Sequence, residues 1–296
     1  MTATSTFGVS RRESHDASDF YSRALSPATF SPDTSVDAVP SSAVDQIFQH
    51  TSEAMSELPD NSVAFMVTSP PYFVGKTYDL DGTFDEFLAL LERVFCETHR
   101  VLQPGGRAAI NIANLGRKPY VPLTAHVAAI MTSIGFHHRG EIIWRKAAGA
   151  NGSCAWGSWR SPSNPVIRDL HEYVLVFSKG RMGRVVRGES TITKEAFMRD
   201  TLSIWDVRPE SATSVGHPAP FPVELPQRLI ELHTFRDEVV LDPFIGSGST
   251  AIAARTTDRH FVGYELDAGY CDLARERLAD LTPSVHARLQ PHAGVR

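Results

Sequence analysis

Four consecutive residues, Ser69-Pro70-Pro71-Tyr72, combine groups that can hold and activate an amine on a flat heteroaromatic ring. Such an amine is a weak nucleophile because its lone pair is delocalised into the ring. Acceptors for its hydrogens favour a more tetrahedral nitrogen and release that lone pair. The Ser69 hydroxyl is one acceptor and the Pro70 carbonyl a second. Two successive prolines restrict the loop and remove two competing N–H donors. Tyr72, or Phe73 beside it, offers a ring on which an extruded base can stack. Preorganised acceptors act through electrostatics and require no covalent intermediate. Taken alone, the tetrapeptide is more simply a proline-rich turn after a strand.

A second constellation lies far downstream. Val239-Val240-Leu241-Asp242-Pro243-Phe244-Ile245-Gly246-Ser247-Gly248-Ser249-Thr250 reads as a strand, a glycine turn and a helix start. The glycines let the backbone pass close to a ligand, and the helix N-terminus offers free N–H groups to a carboxylate. About twenty residues on, Phe261-Val262-Gly263-Tyr264-Glu265 ends a second strand on an acid, which suits a ribose diol. Ala251 stands where a dinucleotide fingerprint would carry its third glycine. A nucleoside ligand accounts for these features better than a structural turn, without choosing between a nicotinamide dinucleotide and S-adenosylmethionine.

Both loops need strands to present them. Val63 to Thr68 is a short apolar run that stops at Ser69, so it reads as a buried strand. Phe84, Phe87, Leu88, Leu91, Val94, Phe95, Val101 and Leu102 follow helical spacing, with Thr83 and Glu86 as a capping box. Further strands are expected at 108–112, 141–144, 173–177, 238–241 and 260–264, and further helices from Pro122 to before Gly135 and over 222–233. Strand and helix signals alternate, which predicts a parallel sheet wrapped by helices. Ligands in such sheets bind beyond the carboxyl ends of strands. If the strands before Ser69 and before the Asp242 loop are neighbours, the two constellations face each other.

The rest of the chain is more diffuse. Residues 1–43 read as a flexible arm, with Asp19-Phe20-Tyr21-Ser22-Arg23 as a docking element, and 282–296 as a tail. The body spans 44–281, with an insert within 147–216. A net charge of −5 does not advertise a nucleic-acid partner, although a basic face can coexist with an acidic total. Cys96, Cys154 and Cys271 are scattered and fit neither a disulfide framework nor a metal site; no metal is expected. His171-Glu172 reads as the opening of a buried strand. There is no long apolar run and no apolar leader, so the cytoplasm is the expected location.

The two motifs together resemble those of the DNA amino-methyltransferases. Thr68-Ser69-Pro70-Pro71-Tyr72 is similar to their catalytic motif, and the Leu241–Thr250 turn to their S-adenosylmethionine motif. The catalytic motif comes first, as in the permuted beta group, and the likeness runs from about Ile47 to Leu281. It implies a doubly wound α/β fold, a mostly parallel seven-stranded Rossmann-like sheet with a small recognition insert. It also implies that Asp242, Phe244, Gly246, Gly248 and Thr250 surround the cofactor with Glu265 on its ribose. His217-Pro218-Ala219-Pro220-Phe221-Pro222 resembles a segment that lines the same pocket, through His217, Pro218 and Phe221. Two departures stand out. Gln49-His50-Thr51 replaces a common Gly-Asp-Ser, leaving Ser52 or Glu53 as substitutes, and Ser249 stands where many relatives carry Thr.

The resemblance implies methyl transfer to the N4 amine of cytosine in double-stranded DNA, because Ser is more typical there at the first motif position. N6-adenine enzymes more often carry Asp and are the alternative. A carbon-5 cytosine enzyme needs a cysteine, usually after proline, and no cysteine here follows one. Enzymes acting on RNA or on protein glutamine usually carry Asn before Pro-Pro-Tyr and place the cofactor turn first. A non-catalytic DNA-binding relative is a further alternative, and a nicotinamide oxidoreductase would leave the Ser69 loop unexplained. Arg145, Lys146, Arg160, Arg168, Arg181, Arg184 and Arg187 are candidate DNA contacts. Trp156 and Trp159 either wedge into the base stack or pack a subdomain. A cognate restriction endonuclease acting separately, and a monomer or a homodimer, are compatible with the resemblance. Ser69→Ala is expected to reduce turnover far more than cofactor binding, and Asp242→Ala to weaken cofactor affinity first.

Overall fold

In the computed structural model, residues 30–72, 82–115, 119–146, 155–210 and 221–281 are described. The expected arm up to residue 29, Phe73, Cys154, His217, Pro218 and the tail 282–296 lie outside them. The strands are β1 (Gln46–Phe48), β2 (Val63–Thr68), β3 (Leu102–Ile112), β4 (Phe136–Lys146), β5 (His171–Lys179), β6 (Ile204–Val207), β7 (Val239–Asp242) and β8 (His260–Tyr264). The helices are α1 (Phe84–Val101), α2 (Leu123–Ile134), α3 (Lys194–Asp200), α4 (Glu224–His233), α5 (Ser249–Thr256) and α6 (Ala268–Ala279).

The strands form one sheet in the order β1-β8-β7-β2-β3-β5-β4-β6. Among the described strands only β5 runs against the others, pairing antiparallel with both β3 and β4. All six residues of β2 are buried, because the strand lies between β7 and β3 with side-chain layers on both faces. A strand buried on two faces reads as continuous apolar sequence, which is why VAFMVT was legible. One layer packs Met66, Ile110 and Leu241 under Phe87, Leu91 and Phe95 of α1 and Val127 of α2. The other packs Phe65, Val67 and Val240 under Leu225 and Leu229 of α4 and Ala251 and Ala254 of α5. Thr83 and Glu86 form the expected capping box on α1.

Among the described residues the sheet has eight strands where seven were expected. Both short edge strands lack a strong signal: β1 has three residues and β6 four. β6 lies inside the stretch 179–216 that reads as polar and loop-like, yet Trp205 and Val207 point into the core and pair it to β4. That part of the stretch therefore belongs to the sheet. From β2 the chain winds through α1 to β3, and from β7 through α5 to β8 on the other side. The direction of winding reverses between β2 and β7, and at such a switch point the carboxyl ends of the strands open a crevice.

Candidate active site at the switch point

β2 and β7 are parallel neighbours, with Phe65 opposite Val240 and Met66 opposite Leu241. Ser69 and Pro243, the residues that follow these strands, therefore leave the sheet side by side. Asp242 ties the two loops together. Its Oδ1 accepts from Thr68 Oγ1 at 2.6 Å and from Phe244 N at 3.0 Å, and its Oδ2 accepts from Thr250 Oγ1 at 2.6 Å. Thr68, Asp242 and Thr250 are all buried. Loss of water around the Asp242 carboxyl pushes its pKa up to about 6, against the opposing pull of those three hydrogen bonds. Asp242 thus acts as a clasp between the Ser69 loop and the glycine turn, with three of its acceptor positions used inside the protein.

The glycine turn has the form its sequence implies. Gly246 and Gly248 have φ of 49° and 83°, and a Cβ on Gly248 would sit 2.9 Å from the Ala274 Cβ. Glu265 closes the turn from β8: Oε2 accepts from Gly246 N at 3.1 Å, and Oε1 from Leu266 N and Asp267 N at 2.9 Å each. A carboxylate has about four acceptor positions, so one remains on Glu265 for a hydroxyl donor. Phe244 and Phe221 are half-buried and pack against the two core layers. The segment at 49–53 sits beside this turn, since Glu265 N donates to Phe48 O at 3.1 Å. There His50 contacts Glu57 at 2.9 Å, Glu57 accepts from Tyr264 OH, and Glu53 is engaged by Arg93 and Thr51. Glu53 therefore does not offer a free carboxylate, and Ser52 is buried.

On the other side of Ser69 lies a polar cluster. Asn111, near the end of β3, places its Nδ2 at 2.8 Å from Glu172 Oε2, 2.9 Å from Tyr72 OH and 3.3 Å from Ser69 Oγ. Tyr72 OH lies 3.0 Å from the same Glu172 oxygen and 3.3 Å from Ser69 Oγ. Lys146 Nζ pairs with Glu172 Oε1 at 2.5 Å. In the sequence, Thr68 has no role beyond its place in the motif, Glu172 reads only as the opening of a buried strand, and Asn111 carries no assignment. The available signal was a lone polar residue at the site end of an otherwise apolar strand, as in Ala108-Ala109-Ile110-Asn111.

The basic candidates separate into two groups. Arg145 near the end of β4, and Arg160 and Arg168 between β4 and β5, lie at the same end of the sheet as Ser69. Arg145 pairs with Asp206 at 2.5 Å, and Arg168 lies over the Trp156 ring at 3.4 Å from its centroid. Lys146 sits at that end too, but it is turned to Glu172. Because β5 is antiparallel, Arg181, Arg184 and Arg187 emerge at the opposite end. Arg184 is there locked to Glu238 at 2.5 Å, and to Gln103 and the His233 carbonyl. Arg181 reaches the Asp33 carbonyl. The structure does not bring these three to the site. Trp156 and Trp159 pack edge to face at 4.9 Å yet stay 42% and 65% exposed, so they do not bury a subdomain core. Among the described residues there is no cluster of metal-ligating side chains and no helix long and apolar enough to cross a membrane.

A DNA methylase family model, covering N6 and N4 methyltransferases, matches residues 63–276, from β2 to α6. The chain belongs to this family. Type II methyltransferase M.MthZI of Methanothermobacter thermautotrophicus is 31% identical over 79% of this chain and 76% of its own length. M.MjaI of Methanocaldococcus jannaschii is 30% identical over 76% of this chain and 88% of its own. A DNA modification methylase (by assignment) of Thermus thermophilus was solved in complex with S-adenosyl-L-methionine. It superposes with a TM-score of 0.67 at 32% identity, covering 81% of this chain and 95% of that one. The PvuII cytosine-N4 methyltransferase shares the fold, with a TM-score of 0.65 at 19% identity. This DNA methylase therefore carries its polar cluster and its glycine turn on a sheet common to the family.

Proposed function

We propose that this protein transfers a methyl group from S-adenosylmethionine to the N4 amine of a cytosine in duplex DNA. The observation that carries this reading is the Thr68–Asp242–Thr250 clasp, which joins the Ser69 loop to the glycine turn across adjacent strands. The donor set fits the cofactor. The start of α5 suits its carboxylate, the remaining acceptor position of Glu265 suits a ribose hydroxyl, and Phe244 and Phe221 offer apolar faces to the adenine. When bound, S-adenosylmethionine supplies an electrophilic methyl whose transfer leaves the electron pair on sulfur, while the amine loses one proton to solvent.

The protein's own groups do the rest. The target base leaves the duplex, since its amine is out of reach inside the stack. Ser69 Oγ and the Pro70 carbonyl accept its hydrogens, and Tyr72 provides the stacking ring. The loop between β4 and β5, with Arg160, Arg168, Trp156 and Trp159, faces the DNA, and Arg145 borders it. Ser69 supports cytosine because it offers a neutral hydroxyl where adenine enzymes more often present a carboxylate. The test is transfer of labelled methyl to mixed-sequence duplex DNA followed by nucleoside analysis. N4-methylcytosine is expected; N6-methyladenine overturns the choice of base, and no label in DNA overturns the substrate.

A further inference from the structure

Glu172 lies at the start of β5, is 9% exposed, and has both oxygens in use. A buried ion pair is often no more stable than an apolar pair of similar volume, so stability alone gives little reason for one beside the Ser69 loop. The directions of the hydrogen bonds around it supply another reason. An ionised carboxylate only accepts, and the Lys146 ammonium at 2.5 Å keeps Glu172 charge-balanced in that form. A tyrosine hydroxyl has one hydrogen. Glu172 Oε2 at 3.0 Å is a charged acceptor for it, whereas the Asn111 carbonyl lies at 3.5 Å. With that hydrogen committed, the 3.3 Å contact between Tyr72 and Ser69 has one remaining sense, in which Ser69 donates and the phenol oxygen accepts. The two hydrogens of Asn111 Nδ2 go to its nearest partners, Glu172 and Tyr72, at 2.8 and 2.9 Å.

We infer that Glu172, paired with Lys146, is a positioning residue that sets the hydrogen-bond direction of the pocket, so that Ser69 Oγ faces the target amine as an acceptor. This rests on the methyl-transfer reading above and adds to it the group that orients Ser69. If the carboxylate becomes an amide, its NH₂ can donate to the phenol oxygen. The phenol hydrogen then turns to Ser69, and Ser69 presents its own hydrogen to an amine that has only hydrogens to offer.

The test uses the full-length protein, S-adenosylmethionine and duplex DNA under single-turnover conditions, comparing wild type, Glu172→Gln, Tyr72→Phe and the double variant. Glu172→Gln is expected to slow methyl transfer roughly 10- to 100-fold, the size of one lost charge-assisted hydrogen bond. Cofactor Kd and thermal midpoint should stay near those of the wild type. Without the phenol there is no wrongly directed hydrogen, so the double variant should be no slower than Tyr72→Phe alone. A purely structural residue would instead give multiplying losses. Should Glu172→Gln not fold, Glu172→Asp keeps the charge for Lys146, withdraws the oxygens by one methylene and should show the same rate loss. An unchanged rate in the folded variant overturns the inference, as do parallel losses of rate and cofactor affinity, or multiplying losses. In each of those cases the wild type still methylates DNA. A wild type that transfers no label to DNA removes the functional reading and the inference with it.

Discussion

Asp242 uses three acceptor positions inside the protein, on Thr68, Thr250 and the Phe244 amide. Asp242→Ala would leave two buried hydroxyls and one amide without partners, each costing about 1–3 kcal/mol if nothing replaces the bond. The expected outcome is a joint loss of urea stability, cofactor affinity and turnover, and not the cofactor-first loss that the sequence alone suggested. Selective loss of cofactor binding at full stability would show that the clasp has no structural part. Ser69 is the opposite case. It is only half-buried, and its hydroxyl makes only long contacts of 3.3 Å, to Tyr72 OH and Asn111 Nδ2. Ser69→Ala should therefore lower the single-turnover rate by roughly 100-fold, the scale of one preorganised hydrogen bond in a transition state. Cofactor Kd and stability should barely move. An equal loss in rate and cofactor affinity would refute the role assigned to Ser69.

Helix α5 begins on a residue with no freedom to carry a side chain. Gly248 has φ of 83°, and a Cβ there meets Ala274 of α6 at 2.9 Å. Gly248→Ala combines a left-handed backbone cost with a clash, so it should destabilise by about 1–3 kcal/mol. Adding Ala274→Gly should recover the steric part and leave the backbone part, as denaturant midpoints would show. No recovery would mean that the clash is not what limits the site. The glycines themselves were legible in the sequence, because a strand, a turn and a helix must pass through a few special dihedrals. So was β2, whose burial on two faces writes a continuous apolar run. Edge strand β6 was not, because its Trp205 and Val207 alternate with exposed Ile204 and Asp206 inside a polar stretch. The fate of Arg184 was equally hidden: a basic residue looks the same in sequence whether it meets phosphate or Glu238. The antiparallel course of β5 carries Arg184 away from the site. Asn111 and Glu172 became visible only when β3 and β5 paired, since 61 positions separate them along the chain.

At the scale of the whole molecule, acid should act through two histidines against two carboxyls whose pKa burial raises, chiefly Asp242. Burial lowers the pKa of His99 to about 4, with Lys179 adding to the effect. Loss of water and the nearby Arg107, Arg184 and Arg139 lower that of His233 to about 3. Both histidines are neutral in the fold and titrate near their ordinary value of 6.5 when unfolded. Between that value and their folded values the unfolded chain binds more protons, so stability falls as pH falls. Asp242 has the opposite sign. Its folded pKa of about 6 lies above the ordinary 3.8, so within that interval the folded protein binds the extra proton and gains stability as pH falls. Glu231, whose pKa burial also raises, adds to this gain. Two losses against these gains leave a net of at most about one proton, at most on the order of 1 kcal/mol per pH unit between about pH 6 and 5. Urea midpoints should therefore drop on acidification through this range. His233→Gln should flatten the drop, since it removes one of the two losing groups and leaves Asp242 to balance His99. An acid slope unchanged by His233→Gln would mean that this histidine is not held neutral beside the arginines at the base of the sheet.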